Sequence, residues 1–261
     1  MLQRVKRDLL KIRKTNLISY SIYILKKVIV PKPALYNFHY IVSVMIQKIH
    51  AKNYLEIGVY RGDCFFYQKV KRKIAVDPKF KTFRLKILTY LRKNRFFEMG
   101  SDEFFRRVPN ILNKHGIDIA LIDGLHTYEQ SLRDVSNCLM YLNENGYIIL
   151  HDCYPVTKLQ ATPAKSIDHF KNMGLPKSTW SGDVWKTIVY LRSMRDDLKI
   201  FVLDYDVGIG IITKGEPASK LKFTKDEINM LTYEDLKKNP ESLLNLKPFS
   251  YFFEFTKTIK H

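Results

Sequence analysis

The sequence predicts an α/β fold, an open and mostly parallel sheet with helices on both faces, on three observations. Short apolar runs alternate with segments of helical period from Tyr54 to Leu150, the pattern of strand–helix–strand units. The first of these runs ends in a glycine-punctuated turn, Gly58 to Gly62. The last two apolar runs, Lys199–Leu203 and Gly208–Thr213, are separated only by Asp204-Tyr205-Asp206-Val207. So short a connection cannot carry a parallel crossover, so those two strands form an antiparallel hairpin.

Taken in order, Pro31-Lys32-Pro33 breaks the amino-terminal segment, and Tyr36 to Ile49 reads as a helix with Ile41, Val44, Met45 and Ile49 on one face. Tyr54–Ile57 is the first strand, and a helix follows Gly62. Ile74–Val76 is the second strand, closed by Asp77. The basic stretch Lys79 to Arg95 forms a helix, and Arg95–Met99 the third strand. Gly100-Ser101-Asp102 opens a helix, since Ser and Asp satisfy orphan amides. The fourth strand is Ile117–Ile122, ending at Asp123. Thr127-Tyr128-Glu129-Gln130 has capping-box spacing, and Leu132, Val135, Leu139 and Leu142 keep a helical period until Asn145-Gly146. Tyr147–Leu150 makes the fifth strand. Cys153 to Gly182, with Pro155, Pro163 and Pro176, is long and irregular, as binding loops and lids often are. Asp183–Met194 is a helix, the hairpin follows, and residues 215–261 read as a polar helical tail with a capping box at Thr232–Asp235.

The chain has 261 residues and is ordinary in hydrophobic content but not in charge: 44 Lys and Arg against 26 Asp and Glu give +18. Such a field favours anionic partners. Residues 1–30 carry eight basic side chains against Asp8. A segment of this kind either lies as an amphipathic helix on an anionic membrane surface or packs on the domain with its basic face solvated. No span reaches the ~18 apolar residues of a membrane helix. The uncharged stretch Asn16–Leu25 lacks a following small-residue cleavage site. Three dispersed cysteines, Cys64, Cys138 and Cys153, without Cys-x-x-Cys spacing, fit thiols in a reducing compartment. The expected location is cytoplasmic, with peripheral contact at the inner membrane face if residues 1–30 bind lipid.

The chemistry-bearing residues fall at strand ends. Glycines after the first strand let the backbone approach a ligand, and Asp77 at the tip of the second can accept from ribose hydroxyls. The spacing is Glu-x-Gly-x-x-x-Gly, with Glu56 where a pyrophosphate would need glycine and no negative charge. A cationic, phosphate-free adenosine cofactor fits better, and S-adenosylmethionine is one. Asp123 and His126 follow the fourth strand, and His151 and Asp152 the fifth. Ligands of open parallel sheets bind beyond the carboxyl ends of the strands, so these groups face one crevice. Two carboxylates and two imidazoles there can hold a divalent metal or supply a general base.

Leu121-Ile122-Asp123-Gly124-Leu125-His126-Thr127-Tyr128, then Asp134, then Asn145 to Asp152, resembles the class I S-adenosylmethionine-dependent methyltransferases of the methyltransferase-24 kind. The resemblance spans about residues 50–213. It implies a Rossmann-like seven-stranded sheet with an antiparallel last strand, and a cofactor held by Glu56, Gly58, Gly62 and Asp77, with Gly100, Ser101 and Asp123 beside it. Related O-methyltransferases hold Mg²⁺ with acidic residues at the ends of strands four and five, which here are Asp123, His151 and Asp152. The histidine departs from the all-oxygen set that Mg²⁺ prefers and opens the site to Mn²⁺ or to metal-free chemistry.

The expected organisation is a basic helical arm over 1–50, a methyltransferase domain over 51–214 with 153–182 as acceptor lid, and a helical tail over 215–261. The expected activity is methyl transfer to a hydroxyl of a carbohydrate or similar polar metabolite, phosphorylated, nucleotide-linked or lipid-linked. His126, with an unperturbed pKa near neutrality, is the first choice as base; Asp123 and His151 complete the catalytic set. Alternatives are an RNA methyltransferase, prompted by the +18 charge, and a non-catalytic adaptor on the same fold. Nucleic acid is not the expected partner, because no RNA-binding motif accompanies the charge.

Overall fold

The computed structural model describes residues 37–91, 95–174 and 180–259. The basic segment 1–30 and the Pro31–Pro33 break lie outside the described residues. After a first helix α1 (Phe38–Lys48) the chain alternates: β1 (Asn53–Ile57), α2 (Asp63–Tyr67), β2 (Arg72–Asp77), α3 (Phe83–Leu91), β3 (Phe96–Glu98), α4 (Ser101–Arg107), α5 (Pro109–His115), β4 (Ile117–Ile122), α6 (Tyr128–Tyr141) and β5 (Leu142–Leu150). Beyond it come α7 (Ile167–Asn172), α8 (Trp185–Met194), β6 (Leu198–Asp204) and β7 (Ile209–Lys214). The tail holds α9 (Lys225–Met230), α10 (Tyr233–Lys238), α11 (Pro240–Leu244), β8 (Leu246–Pro248) and α12 (Ser250–Thr258).

The strands form one sheet in the order β3-β2-β1-β4-β5-β7-β6-β8. β1 to β5 are parallel, and β7 runs antiparallel to both β5 and β6, as the four-residue connection required. Order reverses beside β1, where β2 and β4 flank it; a crevice opens at such a switch point. Period-2 alternation divides the core. Ala120 and Ile122 of β4 face a cluster with Val135 and Cys138 of α6 and Ile188 of α8. Ile119 and Leu121 face Ile41 and Met45 of α1, Phe65 of α2 and Phe252 of α12. Helices thus cover both faces.

Three local expectations are revised. The expected polar tail is integral to the domain: Ile228, Leu236, Leu243 and Leu244 are buried on one face of the sheet and Phe252 on the other. It also adds an eighth strand, β8, parallel to β6. The α6 helix ends at Tyr141 rather than near Asn145, because Asn143 turns away to bond Asp118 Oδ1 (2.5 Å) and the His115 carbonyl (3.3 Å). Leu142 then pairs with Ile117, and the register slips before Tyr147 meets Ile119. Finally, Gly100 is the N-cap of α4 and makes no side-chain cap bond. Ser101 sits inside the helix, buried, where its Oγ accepts from Gln130 Nε2 (3.1 Å).

Candidate active site

The site begins at the β1–α2 turn. Gly58 has φ +88°, and a Cβ there would lie 1.9 Å from the Asp123 carbonyl oxygen. Only glycine permits this approach. Gly62, also at positive φ, caps α2. Asp77 ties the turn to β2: Tyr60 N–H donates to Oδ2 and Lys79 N–H to Oδ1, both at 2.7 Å. Burial pushes the Asp77 carboxyl up, against the pull of these two amides. Gly100, at the head of α4, has nothing within 4 Å of where a Cβ would stand. Ser101 beside it shares Gln130 with Asp134, and burial lifts Asp134 to about 6.

Glu56 lies deeper than its place in the motif suggested. It is 2% exposed, on the same face of β1 as Tyr54, whose hydroxyl donates to Oε2 at 2.5 Å. Burial raises its pKa to about 8, with the Tyr54 bond opposing. Glu56 is therefore a neutral acid at pH 7, held inside the core.

The catalytic candidates do converge. His126 Nε2 is 3.3 Å from Asp152 Oδ2 and 3.6 Å from Asp123 Oδ1. His151 Nδ1 is 3.1 Å from Asp152 Oδ2 and 3.3 Å from Asp123 Oδ1. Asp152 takes a left-handed conformation, φ +63°, unusual for a residue with a Cβ. Burial alone would lower His126, but the Asp152 and Asp123 carboxylates overcome it and raise its pKa to about 9. His151 is lifted in the same way by Asp152 and Asp123. In return, the two imidazoliums hold Asp123 well below the usual carboxylate range and lower Asp152. The two imidazoles and the two carboxylates thus each favour the charged form of the other.

Among the described residues, Asp123, His126 and Asp152 form a metal-apt group, one ligand atom from each lying within 4.8 Å of the others. His126 Nδ1 is 2.6 Å from the Trp180 carbonyl oxygen. That carbonyl can only accept, so Nδ1 carries a proton and Nε2 is the atom that faces the carboxylates. This outer contact is typical of metal-binding histidines. His126 thus stands beside His151 as a nitrogen donor, in the better-oriented position. His151 turns its Nε2 away, toward Asp206 Oδ2 at 3.9 Å, and its ring lies 4.6 Å from that of Phe38. Two oxygens and one nitrogen suit Mn²⁺ better than Mg²⁺.

The stretch 153–182 is pinned at both ends around this cluster. Cys153 and Tyr154 amides donate to the Gly208 and Val207 carbonyls (3.0 and 2.8 Å). At the far end Tyr128 N–H donates to Asp183 Oδ1 (2.8 Å), and Gly182 packs so closely that a Cβ would stand 1.8 Å from the His126 carbonyl oxygen. Trp180 is buried, stacked on Phe170 at 5.3 Å and 20°, with Nε1 donating to the Thr162 carbonyl (2.9 Å). Its ring also lies 5.2 Å from that of His126. Thr127 caps α6 by accepting from Gln130 N–H, which fixes where the helix starts and so where His126 points.

Asp206, read from the sequence only as part of a short connection, and Phe38 also reach the site. Asp206 Oδ2 accepts from Phe38 N–H (3.1 Å) and faces His151. It sits at the carboxyl end of β6, so the rule that found Asp123 and Asp152 applies to it as well. Successive positive φ at Asp206 (46°), Val207 (56°) and Gly208 (86°) make this a strained turn. Phe38 gave no local signal.

This sheet order, with its antiparallel strand and charged cluster at the strand ends, defines the class I methyltransferase fold. Residues 55–153 match the family model described as a methyltransferase domain, methyltransferase-24. This part of the chain is similar to that family. No curated protein sequence matches it. Among solved structures, cofactor-bound Rv0187 from MTB aligns with a TM-score of 0.50 at 12% identity, over 76% of this chain and 89% of that one; the likeness is one of fold. A Podospora anserina methyltransferase bound to SAH aligns at 0.46 and 13% identity, over 83% and 97%. An O-methyltransferase from Bacillus cereus in complex with SAH aligns at 0.46 and 10%, over 77% and 92%.

Proposed function

We propose that the protein is an S-adenosylmethionine-dependent O-methyltransferase whose acceptor is a hydroxyl of a carbohydrate or similar polar metabolite. The observation that carries the reading is the Asp123–His126–Asp152 group at the strand ends of a methyltransferase domain. The turn from Gly58 to Gly62, Asp77, Gly100 and Ser101 are the residues that would hold the adenosyl part. The cofactor supplies a sulfonium methyl group. Transfer needs the acceptor oxygen in line behind that methyl, so the contribution of the protein is chiefly positioning.

Asp123, His126 and Asp152 would hold a divalent ion, which as a Lewis acid favours the deprotonated hydroxyl. The convergence of Asp123, His126 and Asp152, with His126 held from behind by the Trp180 carbonyl, supports this role. His126 would present Nε2 to the ion, with the Trp180 carbonyl holding Nδ1 and so the ring orientation. His151, screened by Phe38 and directed at Asp206, neutralises the second carboxylate. The net charge of +18 suits acceptors that carry phosphate.

The test is transfer of labelled methyl from S-adenosylmethionine to a panel of free, phosphorylated and nucleotide-linked sugars with Mn²⁺ present. The reading expects a methyl ether on an anionic sugar. Labelling of RNA, or of an amine, in place of any hydroxyl acceptor would overturn the acceptor assignment.

A further inference from the structure

Two cavities share Lys73, near the start of β2, and Arg95, just before β3. One, of about 410 Å³, includes Arg72, Lys114 and His115 in its wall. The other, of about 530 Å³, has an apolar lining of Phe65, Phe66, Phe83, Leu88 and Phe96, with Arg84 and Arg95 beside it. The Arg84 guanidinium lies 3.7 Å over the Phe66 ring, and Phe83 is 78% exposed. Lys73 is committed to the Phe65 and Gln68 carbonyls, which leaves Arg84 and Arg95 as the outward cations among the described residues of the wall.

Sequence sharpens the picture. Between Asp63 and Glu98 the sole carboxylate is Asp77, against eleven Lys and Arg, and Asp77 sits at the other end of β2. The segments outside the described residues bring in one more carboxylate, Asp8, amid eight basic side chains in 1–30. The segment that builds this edge is therefore strongly basic. We propose that the edge formed by β2, α3 and β3 seats on an anionic phospholipid surface. Headgroup phosphates meet Arg84 and Arg95, and Phe83 and the aromatic cavity take the apolar part of the lipid. Cations at the rim of an apolar cavity match an amphiphile. A nucleic-acid base would also need polar partners for its edges, and among the described residues no Asn, Gln, Ser or Thr lines the aromatic cavity.

The experiment is flotation of the full chain with vesicles of phosphatidylcholine alone or mixed equally with phosphatidylglycerol. The protein is expected to float only with the mixed vesicles. Arg84→Glu with Arg95→Glu should weaken binding by at least about tenfold, since each basic residue near an anionic surface contributes severalfold. The same charge change at Lys237 and Lys238, exposed on α10, should weaken it much less. Phe83→Ser should weaken vesicle binding while leaving retention of a single-stranded RNA oligonucleotide unchanged. Equal binding of the wild type to both vesicle types overturns the proposal. So do unchanged flotation of the Arg84/Arg95 variant, equal weakening by the two charge pairs, and RNA retention that depends on Phe83 without vesicle binding.

Discussion

The Trp180 carbonyl oxygen lies 2.6 Å from His126 Nδ1, so the loop that follows the fifth strand also orients the nitrogen donor of the candidate metal group. Trp180 does two things at once: its ring, stacked on Phe170, anchors the loop, and its backbone carbonyl orients His126.

Trp180→Ala should therefore act on chemistry more than on cofactor binding. The expectation is a fall in kcat of roughly 10²-fold, the scale of a small misplacement of a reacting group, with cofactor affinity kept. Trp180→Phe, which preserves stacking on Phe170, should recover most of the rate. In the ¹⁵N spectrum of His126 the protonated Nδ1 should be lost in the Ala variant only. Parallel loss of rate and cofactor affinity would assign Trp180 a purely structural role.

Chelation should abolish methyl transfer and Mn²⁺ restore it. Asp152→Ala should match the chelated enzyme, and His126→Ala should weaken Mn²⁺ binding by at least ~10-fold, as expected when a ligand or its orienting partner is lost. Full activity in chelator together with a ~10²–10⁴-fold loss in His126→Ala would restore His126 as general base.

Glu56 predicts a pH dependence of stability. Its folded pKa, about 8, stands above the ordinary 4.5. The folded state therefore holds a proton that the unfolded chain releases, and this contribution is fully present below pH 4.5 and lost as pH rises through 8. Each unit of difference is worth about 1.4 kcal/mol. Urea denaturation should show Glu56→Gln flattening the decline between those limits. An unchanged slope would mean that Glu56 is ionised in the fold.

Gly58→Ala should destabilise by about 1–3 kcal/mol, the usual cost of forcing a side chain into such backbone. Here the added Cβ also collides with the Asp123 carbonyl. The urea midpoint should fall and cofactor binding weaken together, because the turn and the start of the Asp123 loop move as a unit. A variant as stable as the wild type would show that the two segments are free to part.

Much of this architecture is legible in the sequence because strand alternation and hairpin length are local signals; Ile117–Ile122 coincides with β4. β8 is not legible: Leu246-Lys247-Pro248 offers three residues, no alternation, and a proline tolerated only at an edge. Asp123, His126, His151 and Asp152 come together because strand ends share a crevice. Asp206 obeys the same rule but sits in what reads as a plain polar turn. Phe38 reaches His151 across more than a hundred residues, and the Trp180 carbonyl is a backbone atom; neither leaves a trace in residue type. Glu56 was legible as a motif position but not as a buried acid, because its partner Tyr54 has to fold against it first.

The most direct test of the central claim is a calorimetric titration of the protein with S-adenosylmethionine. The account predicts saturable one-to-one binding, weakened by about 1–3 kcal/mol in Asp77→Ala, the loss expected when hydrogen bonds to a charged group are removed. Absence of binding by correctly folded protein would contradict it and leave a methyltransferase fold used for something other than methyl transfer.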